Sequence, residues 1–165
     1  MKSIIPRYLL ALIIAIFNEI FYLIFSPLTL YVSYFIISLF YDVSLLGNTI
    51  LLDGISFTFV SACTAATAYL LLTELVLLTR GISLKKSLKM LYIGYLSIFI
   101  MNILRILVLI FVYVNYGKNY FDILHMFFWH LLSTIFVVVV WILLTKNFRV
   151  KGVPVYSDLK SLVNK

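Results

Sequence analysis

The feature that most constrains this chain is a succession of long apolar runs separated by short basic blocks. They extend over Tyr8–Phe25, Leu28–Tyr41, Cys63–Thr79, Met90–Tyr113 and Leu124–Thr145. A helix needs ~20 apolar residues to cross the ~30 Å hydrocarbon core of a bilayer, and most of the runs are of that order. Together they take up most of the 165 residues, so a separate soluble catalytic domain has nowhere to fit. Only 12% of residues are charged and 64% are apolar, against ~25% charged in ordinary soluble domains. A soluble globular protein is excluded.

The fold expected is an all-α polytopic membrane bundle, a single domain over residues 1–165. It has about five transmembrane helices, near 8–25, 28–46, 63–79, 90–113 and 124–145, and a cytoplasmic tail over 146–165. Ser26-Pro27 divides the first two, because proline lacks a donor and restricts its predecessor. The second helix spans only if it continues past Asp42 to Leu46; four full spans plus a re-entrant segment is the alternative. Between Gly47 and Val60 two β-prone stretches flank Asp53-Gly54, a favoured hairpin pair. A short extracytoplasmic hairpin leading into Cys63 is therefore expected. No cleavable signal peptide is expected, because the first run outlasts an h-region and has no small-residue cleavage site.

The net charge is +7. Its placement in blocks between apolar runs suits anionic lipid headgroups and not nucleic acid. Arg80, Lys85, Lys86 and Lys89 follow the third run and Lys146, Arg149, Lys151, Lys160 and Lys165 follow the fifth, whereas Lys118 stands alone between the fourth and fifth. The positive-inside rule makes both blocks cytoplasmic. Five spans then put the N-terminus outside, with Lys2 and Arg7 against the rule; four spans remove the conflict.

Ionisable residues inside apolar runs cost ~2.5–3.5 kcal/mol to insert and are functional candidates by default. Glu19, Glu74 and Arg105 qualify. At ~1.5 Å per residue, Arg105 lies roughly 24 Å above Lys89, Cys63 about 26 Å above Arg80 and His125 about 32 Å above Lys146. Three chemically versatile side chains on three helices thus meet at one outer depth. A thiol needs electropositive help to ionise near neutral pH, histidine takes and returns protons, and a guanidinium stabilises an oxyanion. Cys63 as nucleophile, His125 as base then acid and Arg105 as charge stabiliser form the minimum set for acyl transfer through a thioester.

Other readings stay open on the residues alone. A lone cysteine ordinarily packs, and Arg105 can pair with Glu19 or Glu74, which themselves suit interhelical hydrogen bonds. His130 lies a net ~140° around the helix from His125, on another face. Asp122, three residues before His125, either orients the ring or is solvated in the loop. Tyrosines and Trp141 near span ends read as interfacial anchors. No metal-ligand cluster, phosphate-binding loop or Ser/His/Asp set is present, so no cofactor and no metal is expected. The alternative functions are a non-enzymatic membrane subunit or transporter component in which Arg105 binds an anion, and an acyltransferase whose cysteine carries a lipid.

The order Cys63 in Ser61-Ala62-Cys63-Thr64-Ala65, Arg105 in Asn102-Ile103-Leu104-Arg105 and His125 in Asp122-Ile123-Leu124-His125 resembles the exosortase and archaeosortase family. The likeness covers Gly47 to Trp141 and includes the Gly-Asn-Thr-Ile segment before the cysteine. It implies a membrane cysteine peptidase and transpeptidase, archaeal or bacterial, with its site on the extracytoplasmic face of the cell membrane. Its partners would be exported proteins ending in a short motif, an apolar helix and a basic tail, and its acceptor would be lipid-linked. Asn102 and Asp122 would support Cys63, Arg105 and His125. The chain departs from the family pattern at Ala65 and Trp129, where glycine is common.

Overall fold

Asn18, not Pro27, makes the first break in the chain. The computed structural model describes residues 4–52 and 54–163; Lys2, Asp53 and Lys165, and the side chains of Ser61, Ala62, Trp129 and His130, lie outside the described residues. Helix α1 (Ile4–Ile16) stops where Asn18 Nδ2 donates to the Ala15 carbonyl at 3.0 Å, and α2 (Glu19–Ser38) resumes at once. An asparagine side chain offers the backbone an alternative to the helical ladder. Pro27 sits inside α2, where it removes one ladder bond, a loss that membrane helices tolerate through their neighbours.

Helices α1 and α2 form one broken column climbing beside α3 (Ala66–Leu78) and α4 (Leu84–Tyr116). Arg7 Nη2 donates to the Leu78 carbonyl at the base of α3. Higher up, Phe21 meets Tyr95 edge-on and Phe25 stacks on Tyr69 with centroids 3.6 Å apart. Higher still, Leu30 and Ile37 pack with Ile106 and Ile110. After α4 the chain turns over at Gly117, whose φ is +85°, and descends through α5 (Lys118–Leu131), a π-helical segment (Leu132–Phe136) and α6 (Val137–Asn147). A short α7 (Tyr156–Val163) closes the described chain.

The bundle thus makes four passes, up α1–α2, down α3, up α4 and down α5–α6. This corrects the expected division at residues 8–25 and 28–46, which are one column, and the expectation of five spanning helices is not reproduced. By length and composition α2 and α4 are able to cross a membrane, while Ile4–Ile16, Ala66–Leu78 and Thr134–Asn147 are shorter apolar helices. The 33 residues of α4 measure roughly 50 Å. Its outer face exposes Tyr92, Leu96, Ile100, Leu104, Val108 and Phe111, and its inner face buries Met90, Gly94, Ile98, Ile106 and Leu109. An outer face of this length that is apolar and exposed suits contact with lipid. Gly94 lets α3 approach, since a Cβ there would lie 2.3 Å from Leu72 Cδ2. Trp141, expected as an interfacial anchor, packs against this core.

Above the helices lies an antiparallel sheet of β1 (Val43–Leu46), β2 (Thr49–Leu52) and β3 (Ile55–Thr58), in that order. The expected hairpin is β2–β3. Strand β1 is formed from residues assigned to the end of the second helix, because Gly47, with φ +57°, allows a tight turn that pairs Leu46 with Thr49. Ile50 and Leu52 alternate inward and are almost fully buried, which fixes the sheet's register on α2 and α4.

The opposite end is held by charge. Arg7 and Asp158 form a buried ion pair, with side chains 4% and 3% exposed, and Arg80 Nε lies 3.9 Å from the same carboxylate. Lys86 Nζ donates to the Phe148 carbonyl at 3.0 Å. The backbone of Gly152 presses against Arg80, where a Cβ would sit 2.4 Å from the Arg80 carbonyl oxygen. Arg7 therefore lies at the same end as Arg80, Lys86 and the start of the tail. Removing one partner of a buried pair costs ~3–5 kcal/mol, and an apolar replacement of both is far milder. Arg7→Ala and Asp158→Ala are each expected to lower the unfolding midpoint in detergent strongly, and Arg7→Met with Asp158→Leu to recover most of the loss.

Candidate functional site

Between β3 and α3 the chain turns sharply through a 3-10 segment, Ser61–Thr64, that carries Cys63. The turn is closed by the Cys63 amide donating to the Val60 carbonyl at 2.9 Å. Ala65 follows at φ +54° and ψ +29°, left-handed backbone, and α3 begins at Ala66. L-residues adopt this region at a cost of roughly 1–2 kcal/mol, and glycine does so freely. The position where the family commonly has glycine is thus one whose backbone favours it. Cys63 is half-buried and stands just before the α3 N-terminus, where unpaired backbone amides and the helix dipole favour negative charge.

Asn102 fixes this turn from α4. Its Nδ2 donates to the Cys63 carbonyl at 2.8 Å, and its side chain is buried. A carbonyl only accepts, so the nitrogen of the amide must be the atom that faces Cys63. One turn along α4, Arg105 is 6% exposed. His125 comes from α5, where Phe121, one turn earlier, stacks on its ring with centroids 5.5 Å apart and planes 8° from parallel.

A cavity of about 200 Å³ joins these groups. Cys63, Arg105 and His125 all line it, with Ser56, Phe57, Thr58 and Phe59 from β3 and its end, Ile106, Leu109, Ile110 and Tyr113 from α4, and Phe121 from α5. Three residues 42 and 20 positions apart in sequence thus share one space. A smaller cavity of about 30 Å³ lies beside it, lined by Ala65, Asn102 and Arg105 among others, enough for a water molecule.

One expectation needs correction, and one open alternative narrows. His125 does not open the last helix, because α5 starts at Lys118 and the single residue Gly117 makes the whole turn from α4; the imidazole lies about two turns inside α5. Asp122 is exposed and is not among the residues lining the cavity, so the group against the His125 ring is Phe121. Glu19 is exposed, and Glu74 Oε1 is buried with no hydrogen-bond partner among the described residues. Neither lines the cavity. The apolar wall on α4 was not singled out from sequence, yet Ile106, Leu109, Ile110 and Tyr113 recur at helical spacing and mark one face.

Compared with known families, the chain matches transmembrane exosortases over residues 2–145. It belongs to the transmembrane exosortase family. The comparison with curated proteins and that with solved structures returned no match. The matched span ends before the residues that form α7, so the Arg7–Asp158 clasp joins the family region to a segment beyond it.

The left-handed turn yields a stability test. Glycine relieves the steric cost at residue 65 and loses part of the gain to unfolded-chain entropy, ~0.4–1 kcal/mol. Ala65→Gly is expected to raise stability by about 1 kcal/mol, and Ala65→Val to lower it, both read as shifts of the unfolding midpoint in detergent.

Proposed function

We propose that the chain is a membrane cysteine peptidase and transpeptidase that cleaves C-terminal sorting signals of exported proteins and passes the new carboxyl end to a lipid-linked acceptor. The observation that carries this reading is the shared cavity of Cys63, Arg105 and His125 in a member of the exosortase family. His125 takes the Cys63 proton, and the thiolate attacks the scissile carbonyl. The tetrahedral oxyanion faces Arg105. When the C–N bond breaks, His125 returns the proton to the leaving amine and a thioester remains on Cys63. The acceptor nucleophile then gives its proton to His125 and attacks the thioester; the C–S bond breaks and the thiolate recovers the proton.

Arg7, Arg80, Lys86 and the α6–α7 segment gather at the end of the bundle away from Cys63. The positive-inside rule supports a cytoplasmic position for that end and an extracytoplasmic one for the sheet and cavity. In a Cys63→Ala background, single cysteines at Lys118 and Lys85 are expected to react with an impermeant maleimide from outside and from inside respectively. The reverse pattern would put the cavity on the wrong face for sorting.

The chemical test uses an exported protein of the same organism that ends in a short motif, an apolar helix and a basic tail. Cys63→Ala and Cys63→Ser are expected to abolish its processing while leaving the chain in the membrane. Arg105→Ala should lose ~10²–10³ in rate, as for an oxyanion-hole donor, and Arg105→Lys should rescue only partly because a point charge lacks the planar fork. A slow His125→Ala variant should accumulate a hydroxylamine-sensitive adduct on Cys63, visible by intact mass. Wild-type processing by Cys63→Ala would overturn the reading.

A further inference from the structure

Among the described residues the sheet order pairs β3 with β2 alone, whereas the other outer strand, β1, packs against α2. Four consecutive residues, Ser56, Phe57, Thr58 and Phe59, line the cavity that holds Cys63. Successive side chains of a strand point to opposite faces, so a cavity that meets all four runs along the strand's edge and not over one face. That edge presents backbone donors and acceptors. It also lacks the usual guards: Ile55-Ser56-Phe57-Thr58 contains no charge and no proline. Beyond β3 the chain reaches Cys63 within five residues of Thr58, and the buried Arg105 offers a cation to a carbonyl held in the same space.

We propose that β3 is the docking strand for substrate: an extended segment of the exported polypeptide adds to its free edge as a fourth strand, which delivers the scissile carbonyl to Cys63. The inference rests on the reading of the chain as a sorting peptidase and adds how the peptide is held. An extended polypeptide is the occupant that the edge fits, since only another extended backbone matches its alternating donors and acceptors along several residues. A lipid chain would use the apolar wall of Ile106, Leu109 and Tyr113 and leave those groups unmet. Phe57, braced edge-on against Tyr113 with centroids 5.1 Å apart, ties the strand to α4 at the mouth of the cavity.

The test uses the full chain in membranes with the same exported protein. Cys63 is the chain's one cysteine, so Cys63→Ala supplies a clean background for Ser56→Cys or Thr58→Cys, both conservative and at exposed positions. Single cysteines are then walked through the substrate's short motif, and mild oxidation reads out pairs. Directly opposite strand residues bring their Cβ atoms to ~4.5–5.5 Å, near disulfide reach. Ser56→Cys is expected to couple several-fold better to one motif position than to its neighbours, and Thr58→Cys to a position two residues away, with the sign of the shift giving strand direction. Ser44→Cys on β1 should not couple. If the wild-type chain processes the protein but β3 cysteines couple nowhere, or without the two-residue shift, β-addition is wrong and the sorting reading stands. If the wild type processes nothing and no coupling occurs, both fall. Coupling of a lipid-linked thiol in place of the motif would assign the edge to the acceptor and overturn the proposal.

Discussion

One hydrogen bond ties the turn that carries Cys63 to α4: Asn102 Nδ2 to the Cys63 carbonyl. Cys63 lies on a short irregular turn between strand and helix, and irregular backbone has no ladder of its own to hold it. Away from water each unmet backbone group is costly. By capping that carbonyl from α4, Asn102 stabilises the turn and sets the distance between the thiol and Arg105, one helical turn further along the same helix. The left-handed Ala65 is the conformational cost of starting α3 immediately after the turn, and it places Cys63 beside the helix N-terminus.

The two ends of the bundle are held by different physics. Around Cys63 the contacts are apolar and aromatic, with Ile50, Leu52 and Phe59 packed on α2 and α4. At the other end the Arg7–Asp158 pair and its neighbours Arg80 and Tyr8 fasten α1 to α7. A buried pair is weak evidence of net stability, because desolvation offsets much of its attraction. Its value here is register: it fixes which residues of the tail meet α1, and Gly152 against the Arg80 backbone admits little slack. Pinning the lower end leaves the upper ends of α4 and α5, joined by a single glycine, to determine the width of the cavity.

Much of this was legible in the sequence, and the failures have specific causes. Apolar runs and basic blocks report on the solvent, so they located α3 and α4 and the end at which charge gathers, and the depth count grouped Cys63, Arg105 and His125, which line one cavity. Pro27 misled because proline was taken to end the helix, whereas within a packed membrane helix neighbouring helices and local backbone adjustments can meet the groups it frees. Asn18, a polar residue with a local backbone partner, was the true break. The hairpin at Asp53-Gly54 was visible because turn chemistry is local, while β1 depended on a second turn at Gly47 and on burial against α2. The pairing of Arg7 with Asp158 joins residues 151 apart, and nothing local in either segment announces it.

The composition of the cavity wall bears on which nucleophile would resolve a thioester under the proposed chemistry. Apart from Cys63, Arg105, His125, Ser56 and Thr58, the lining is aliphatic or aromatic. Such a wall holds few waters, because an ordered water needs two to four polar partners. A thioester formed there would meet little water and would wait for an acceptor whose own apolar part fits the wall. Lipid-linked acceptors have that property. Under the same proposal, Arg105, His125 and the α3 N-terminus are the groups placed to stabilise negative charge on the attacking sulfur. Under the proposed chemistry, a largely apolar lining favours transfer over hydrolysis and makes the guanidinium the main source of charge stabilisation.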